Sequence, residues 1–438
     1  MIRGSSLVHE LLNPSDMTTS PRLSLALPFA IGLGLAACGG NGGSVPGVGV
    51  QQSTLARDTN PSVPSADATQ LATDNRAFAV DLYQQLRSKD GNLVFSPTSV
   101  SVALAMLYNG AANATATQIA GALHFTLPTD RLNAAFDAMD LSITTPPTGD
   151  AGDFQLRLAN STWTQKGFSI LPAYLDTLAV SYGSSVNTVD FAAAPEAARA
   201  AINQWVSNQT DSLISELFPE GTIDSGTVLA LADAVYFHGD WSSPFAPNSP
   251  TGTFHALAGD VSVPMMSGAG ATIWKGTGWT AASLGYQGGA VSMVVLVPDA
   301  GTFDTFEAGL TSDQLATILG GAGDGGEISL PRFKFSLATS LHDTLEALGM
   351  TDAFTAGAAD LSGIDGSNDL YVQAVVHQAD IAVDEKGTTA AAATGISVGK
   401  TSVELNTLTV DRPFLFFIVH QPTGAVLFAG RVVDPSQG

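Results

Sequence analysis

Apolar residues recur at helical spacing in Leu71, Phe78, Leu82 and Leu86, which predicts a helix ending near Leu86. The next apolar run, Asn92-Leu93-Val94-Phe95-Ser96-Pro97, reads as a short buried strand stopped by proline. Ser96 or Thr98 then suits the cap of a helix through Val100, Leu104 and Leu107 that halts near Asn109-Gly110. Ile202, Trp205, Val206 and Leu213 outline a further helical face. After them the pattern turns to strands, at Met293 to Pro298, Ile328 to Leu330 and Leu370 to Val376. The clearest hairpin is C-terminal, with Phe414 to His420 and Ala425 to Val433 flanking the turn Gln421-Pro422-Thr423-Gly424. Helices come mostly first and strands mostly later, an order that predicts an α+β fold with more than one sheet. No linker, repeat or composition break interrupts residues 67–438, so one domain is expected there.

Residues 1–66 follow a different pattern. Leu23 to Ala37 is apolar but shorter than the ~20 residues that span a bilayer. Arg22 precedes it and the small residues Ala36 and Ala37 close it, so residues 1–37 read as a signal peptide. Met17 makes a better start than Met1, because a signal from Met1 would carry Glu10 and Asp16 in its basic region. The run Leu35-Ala36-Ala37-Cys38-Gly39 resembles a bacterial lipobox, which implies cleavage before Cys38 and its acylation. Gly-, Ser- and Pro-rich sequence without apolar periodicity then predicts a flexible tether over 38–66. The expectation is an exported chain, lipid-anchored through Cys38 to a bacterial membrane on its periplasmic or outer face.

Composition narrows the function classes. The chain of 438 residues carries 40 acidic against 17 basic side chains, a net charge of −23, which argues against a nucleic-acid partner. One cysteine excludes an internal disulfide framework and any multi-cysteine metal site. With 45% hydrophobic residues the chain can bury a large core. No His-Glu-x-x-His, Walker A or Gly-x-Gly-x-x-Gly pattern occurs, and the seven histidines lack ligand spacing, so neither metal nor cofactor is expected. Gly395-Ile396-Ser397-Val398-Gly399 matches the nucleophile elbow of hydrolases, with Asp411 and His420 following in order. That elbow needs a helix after its serine, whereas Lys400 to Val410 is Thr/Val-rich and strand-like, so a hydrolase is disfavoured.

The same stretch has a better physical reading. Asp384-Glu385-Lys386-Gly387-Thr388-Thr389-Ala390-Ala391-Ala392-Ala393-Thr394 joins a glycine to a run of very small residues between two strand-like segments. Alanine alone favours helix. A strand entering an existing sheet, however, needs side chains small enough to pass between its neighbours, with alternate residues accepted on a buried face. Thr388, Ala390, Ala392, Thr394, Ile396 and Val398 would form that row.

From here the sequence resembles a serpin, a protease inhibitor of the loop-inserting type, over about residues 67–436. The resemblance rests on Asn92 to Pro97, on Asn203-Gln204-Trp205-Val206 with Thr210, and on Leu231 to Trp241. It continues in order through Leu330 to Lys334, Val376-His377-Gln378-Ala379, Pro413 to Phe416 and Leu427 to Arg431. It implies three β-sheets, eight to nine helices and an exposed reactive loop between Glu385 and about Asn406. It also implies a partner, a target serine protease trapped as an acyl-enzyme when the cut loop inserts into the central sheet, the inhibitor itself being a monomer and no enzyme. Glu385, Gly387, Thr388, Ala390, Ala391, Ala392, Ala393 and Thr394 would be the hinge. Family loop spacing implies scission between Thr401 and Ser402, suiting an elastase- or subtilisin-like protease, or between Lys400 and Thr401, suiting a trypsin-like one. A non-inhibitory serpin-fold binding lipoprotein is the alternative.

One departure has physical content. Ser96, Ser99, Asp233, Trp241 and His377 map to the region where the sheet opens, and Asp233 stands where the family usually has Asn. An Asp beside His377 can form a buried ion pair, costly unless well partnered. Sheet opening is then expected to depend on pH between about 5 and 8, unless a local shift or a water satisfies Asp233.

Overall fold

The computed structural model describes residues 45–144, 155–388 and 406–437. In chain order it begins β1 (Gly49–Gln51), α1 (Ser65–Leu86), β2 (Leu93–Phe95), α2 (Pro97–Tyr108), α3 (Asn113–Ala122) and α4 (Thr129–Thr144). Next come β3 (Gln155–Gln165), α5 (Pro172–Tyr182), β4 (Val186–Val189), α6 (Pro195–Gln209) and β5 (Leu229–Asp240). The middle holds β6 (Thr251–Ala256), β7 (Gly259–Gly276), β8 (Trp279–Gly285), β9 (Val291–Pro298), α7 (Phe303–Ala308) and α8 (Ser312–Leu319). It continues through β10 (Asp324–Pro331), β11 (Phe333–Ser340), α9 (His342–Ala347), α10 (Ser362–Asp365) and β12 (Ala374–Val383). The last strands are β13 (Gly387–Thr388), β14 (Asn406–Thr409), β15 (Phe414–His420) and β16 (Ala425–Val432).

The α+β expectation holds, with ten α-helices among the described residues rather than eight or nine. Two of the three expected sheets form one hydrogen-bonded network, ordered β14-β10-β7-β8-β9-β15-β16-β2. The reason is β7, which pairs β6 through its first part, β10 through its middle and β8 through its last, joining both. The central sheet runs β1-β4-β3-β5-β13-β12-β11. The main apolar core packs α1 and α2 against both networks, and a smaller one seats α6 on the central sheet through Trp163, Ile202 and Val206.

Local chemistry explains the boundaries. Ser96, extended at φ −112°, accepts the Ser99 amide while Pro97 opens α2, so Ser96 rather than Thr98 is the cap. The helical face expected to reach Leu213 stops at Gln209 instead. Asp211 and Ser212 sit at φ 51° and 66°, a left-handed pair that cannot continue a helix, and Leu213 is left exposed. The strand expected from Leu370 begins at Ala374.

The tether expected to reach residue 66 is corrected in its second half. From residue 45 the chain lies against the body, because it finds partners there. β1 pairs antiparallel with β4 at the sheet edge. Gln51 donates to the Phe168 carbonyl and accepts the Ile170 amide, at 2.8 and 3.1 Å. The Arg57 guanidinium donates to Asp137 at 2.8 Å and to Asp140 at 2.6 Å, both on α4. Burial pushes the Asp137 carboxyl up to about 6 against the pull of Arg57. Arg57→Met leaves Asp137 buried without its cation. It should cost about 1–3 kcal/mol, read as a lower thermal unfolding midpoint; an unchanged midpoint would show that the segment contributes nothing.

Candidate functional site

The segment after β12 is held by the end of β5. Trp241 follows β5 directly and is buried. Its indole N–H donates to the Asp384 carbonyl at 3.0 Å and its amide to the Lys386 carbonyl at 2.6 Å. The ring stacks on Tyr286 with centroids 4.4 Å apart. The Phe245 amide donates to the Glu385 carbonyl at 2.9 Å. The Glu385 carboxylate receives Arg332 at 2.5 and 2.7 Å and the Ser249 hydroxyl. Burial alone would raise its pKa, but these donors outweigh it and hold the carboxyl below its usual range.

Two residues then enter the sheet. β13 lies between β5 and β12, Gly387 opposite Asp240 and Thr388 opposite both Gly239 and Val383, antiparallel on each side. A Cβ on Gly387 would lie 2.1 Å from the Gly239 carbonyl oxygen, so only glycine fits this approach. Thr388 is 1% exposed, its hydroxyl 2.6 Å from the Tyr286 phenol. Burial pushes that phenol well up and keeps it an O–H group. Further down, β5 and β12 pair directly in parallel, with Ala374 opposite Ala230 and Ala379 opposite Val235. The sheet is thus wedged apart at one end and closed at the other.

Under the closed part lies a polar cluster. His377 on β12 and Asp233 on β5 are opposite one another in register and at most 1% exposed. The Ser96 amide donates to His377 Nε2 at 3.0 Å. His377 Nδ1 lies 3.3 Å from Asp233 Oδ2, poorly aligned, and neither atom has another partner. The Ser99 hydroxyl stands 2.6 Å from Asp233 Oδ1 and 2.9 Å from Asn160 Oδ1. The ion pair expected from sequence is corrected. An Nε2 that accepts an amide hydrogen carries none of its own, so His377 is a neutral imidazole.

The sequence-derived site residues therefore fall in two groups and a remainder. Trp241, Glu385, Gly387 and Thr388 meet at the wedged end; Ser96, Ser99, Asp233 and His377 meet in the cluster. Ala390, Ala391, Ala392, Ala393, Thr394, Lys400, Thr401, Ser402 and Cys38 lie outside the described residues, as does Ser397. Of the disfavoured triad, Asp411 pairs with Arg412, and buried His420 faces Thr423, its pKa pushed down to about 4 by burial. Sequence reasoning missed Tyr286, Ser249 and Asn160, which belong to no motif near their partners, and quoted Arg332 without its role. Among the described residues only His342, Asp343 and Glu346 cluster closely enough to hold a metal ion, remote in sequence from both groups.

The family model described as Serpin (serine protease inhibitor) matches residues 73–435. Leukocyte elastase inhibitor A of Mus musculus is 36% identical, over 84% of this chain and all of that protein. An uncharacterized serpin-like protein of Thermococcus kodakarensis is 34% identical, over 83% of this chain and 85% of its own length. Among solved structures, the thermophilic serpin tengpin in its native state superposes with a TM-score of 0.78 at 25% identity, covering 88% of this chain and 97% of its own. Uncleaved ovalbumin superposes at 0.74 and 28% identity, over 84% and 100%.

Proposed function

The chain belongs to the serpin family, and from that premise we propose that it is a suicide-substrate inhibitor of serine endopeptidases, cysteine endopeptidases being open to the same trap. The observation that carries this reading is the hinge, already threaded between the two strands that a longer insertion must part. Thr388 is buried there, so in a β13 lengthened by insertion Ala390, Ala392 and Thr394 would share its face by strand alternation. All three are small, and no charge interrupts residues 388–394.

The proposed reaction begins at the loop. A protease serine Oγ attacks the carbonyl carbon of Thr401, the Thr401–Ser402 peptide bond breaks, and the Ser402 amine leaves with a proton. Thr401 stays esterified to the enzyme. Residues from Thr389 on then extend β13, replacing the parallel β5–β12 contact with two antiparallel ones, which form the better-aligned hydrogen bonds. The ester is carried away from the loop's original place before water can hydrolyse it. Ser249, Arg332 and Trp241 hold the fixed end about which this turns.

The name of the mouse relative favours an elastase-like target and scission at Thr401–Ser402 over the trypsin-type Lys400–Thr401. Incubated with elastase and with trypsin, the chain should give an SDS-stable complex with elastase. Mass spectrometry should find the released peptide beginning at Ser402. A peptide beginning at Thr401 would move the reactive bond to Lys400, and cleavage without complex would make the chain a substrate and not an inhibitor.

We further propose that residues 1–37 are an export signal and that acylated Cys38 anchors a monomer at a bacterial membrane. The apolar run closing on Ala36-Ala37-Cys38 supports this. Among the described residues no helix is long and apolar enough to cross a membrane. The mature protein should sediment with membranes and Cys38→Ala should not; equal distribution of both would remove the anchor.

A further inference from the structure

The cluster beneath the closed part of the sheet holds more acceptors than its hydroxyl can serve. Ser99 Oγ has one hydrogen and lies within hydrogen-bond distance of two oxygens, Asp233 Oδ1 and Asn160 Oδ1. The Asn160 amide cannot turn to donate instead, because its Nδ2 already donates to the Ser99 carbonyl at 3.1 Å. One of the two contacts must therefore be donated to Ser99, and only Asp233 can do so, provided that it carries a proton. The other carboxyl oxygen faces the Nδ1–H of His377, whose Nε2 is taken by the Ser96 amide. An ionised Asp233 would sit fully buried with no cation, since this imidazole is neutral, and with Oδ2 poorly satisfied.

We propose that Asp233 is a neutral carboxylic acid in the closed sheet, donating to Ser99 with its other oxygen beside His377, and that its proton makes it a positioning residue for sheet opening. The chain Asp233 Oδ1–H to Ser99 Oγ–H to Asn160 Oδ1 ties β5 to the start of α2 and to β3. The Asp233–His377 contact ties β5 to β12, the strands that must part. This rests on the loop-insertion reading for its consequence, though not for the proton itself. Elements packed on the carboxyl contribute Ser96 and Ser99 from α2 and its cap, Asn160 from β3 and His377 from β12. His377 is the one other titratable group that the hydrogen bonds and ion pairs of the described residues bring to it.

The direction of the pH dependence follows from counting protons. The closed cluster keeps the Asp233 proton, whereas an opened, hydrated Asp loses it above about pH 4. The closed state binds one proton more, so raising the pH favours opening. Asp233→Asn supplies the same donor and acceptor without a titrating proton and keeps His377 in place. The ratio of their opening rates isolates the acid.

The test uses the intact protein without protease. Infrared spectra of the wild type at neutral pH should show the carbonyl stretch of a protonated carboxylic acid that is absent from D233N. Spontaneous conversion to the loop-inserted, uncleaved form, followed on native gels, should be faster in the wild type than in D233N by about tenfold per pH unit from about pH 5 upward. No difference band, or a rate ratio that does not change with pH, would overturn the proposal. Should D233N fail to fold, the wild-type band decides alone: it should be present at neutral pH and fade on alkaline titration, and its absence sinks the idea. A protein with the band that forms no protease complex would overturn the inhibitor reading and leave the proton in place.

Discussion

Among the described residues the central sheet holds a two-residue strand, β13, wedged between β5 and β12, and the proposed function depends on how far that strand can lengthen. β5 and β12 meet in parallel over most of their contact, yet at one end they accept two antiparallel residues of the following segment. Parallel pairing is slightly weaker per residue than antiparallel pairing. A complete insertion would replace one parallel interface with two antiparallel ones. On the proposed reading, the closed sheet is a state that a longer β13 would displace.

Each local feature can be placed by what it does at this junction. Trp241, stacked on Tyr286 and bonded to the Asp384 and Lys386 carbonyls, fixes where the segment turns toward the sheet. Glu385, clamped by Arg332 and Ser249, faces away and anchors it. Gly387 passes so close to the β5 backbone that a side chain is impossible, and Thr388 is the first residue with a buried side chain. At the closed end Asp233 and His377 join the two strands to the cap of α2. Opening the sheet thus disturbs a helix cap and a buried polar cluster as well as a ladder of backbone bonds.

Much of this was legible in the sequence where the signal is local. The helix to Leu86, the Ser96 cap and the C-terminal hairpin follow from period, capping chemistry and turn residues, and β15 and β16 fall where that pattern puts them. Of the expected hinge, Gly387 and Thr388 were legible because side-chain size and glycine placement carry their physics directly. What was not legible depends on partners far apart in the chain. Ser96 meets His377 across 281 residues and Trp241 meets Asp384 across 143, so neither contact leaves a local pattern. The docking of residues 45–64 was missed for the same reason. Its polar, Gly- and Pro-containing sequence has no period of its own, and its attachment comes from an edge strand and from Arg57 reaching α4. Composition reads such a segment as linker, whereas complementary carboxylates elsewhere make it part of the body.

The central claim is that the intact sheet is an incomplete one, poised to accept the loop that follows Thr388. Cutting that loop once and leaving the rest of the chain whole tests it directly, by comparing thermal unfolding of cut and intact protein. If the cut loop completes the sheet, the cut protein should unfold at least about 10 °C higher, since the added strand pairs on both edges. An equal or lower midpoint after a single cut would mean that the sheet gains nothing from the loop, and would contradict the account.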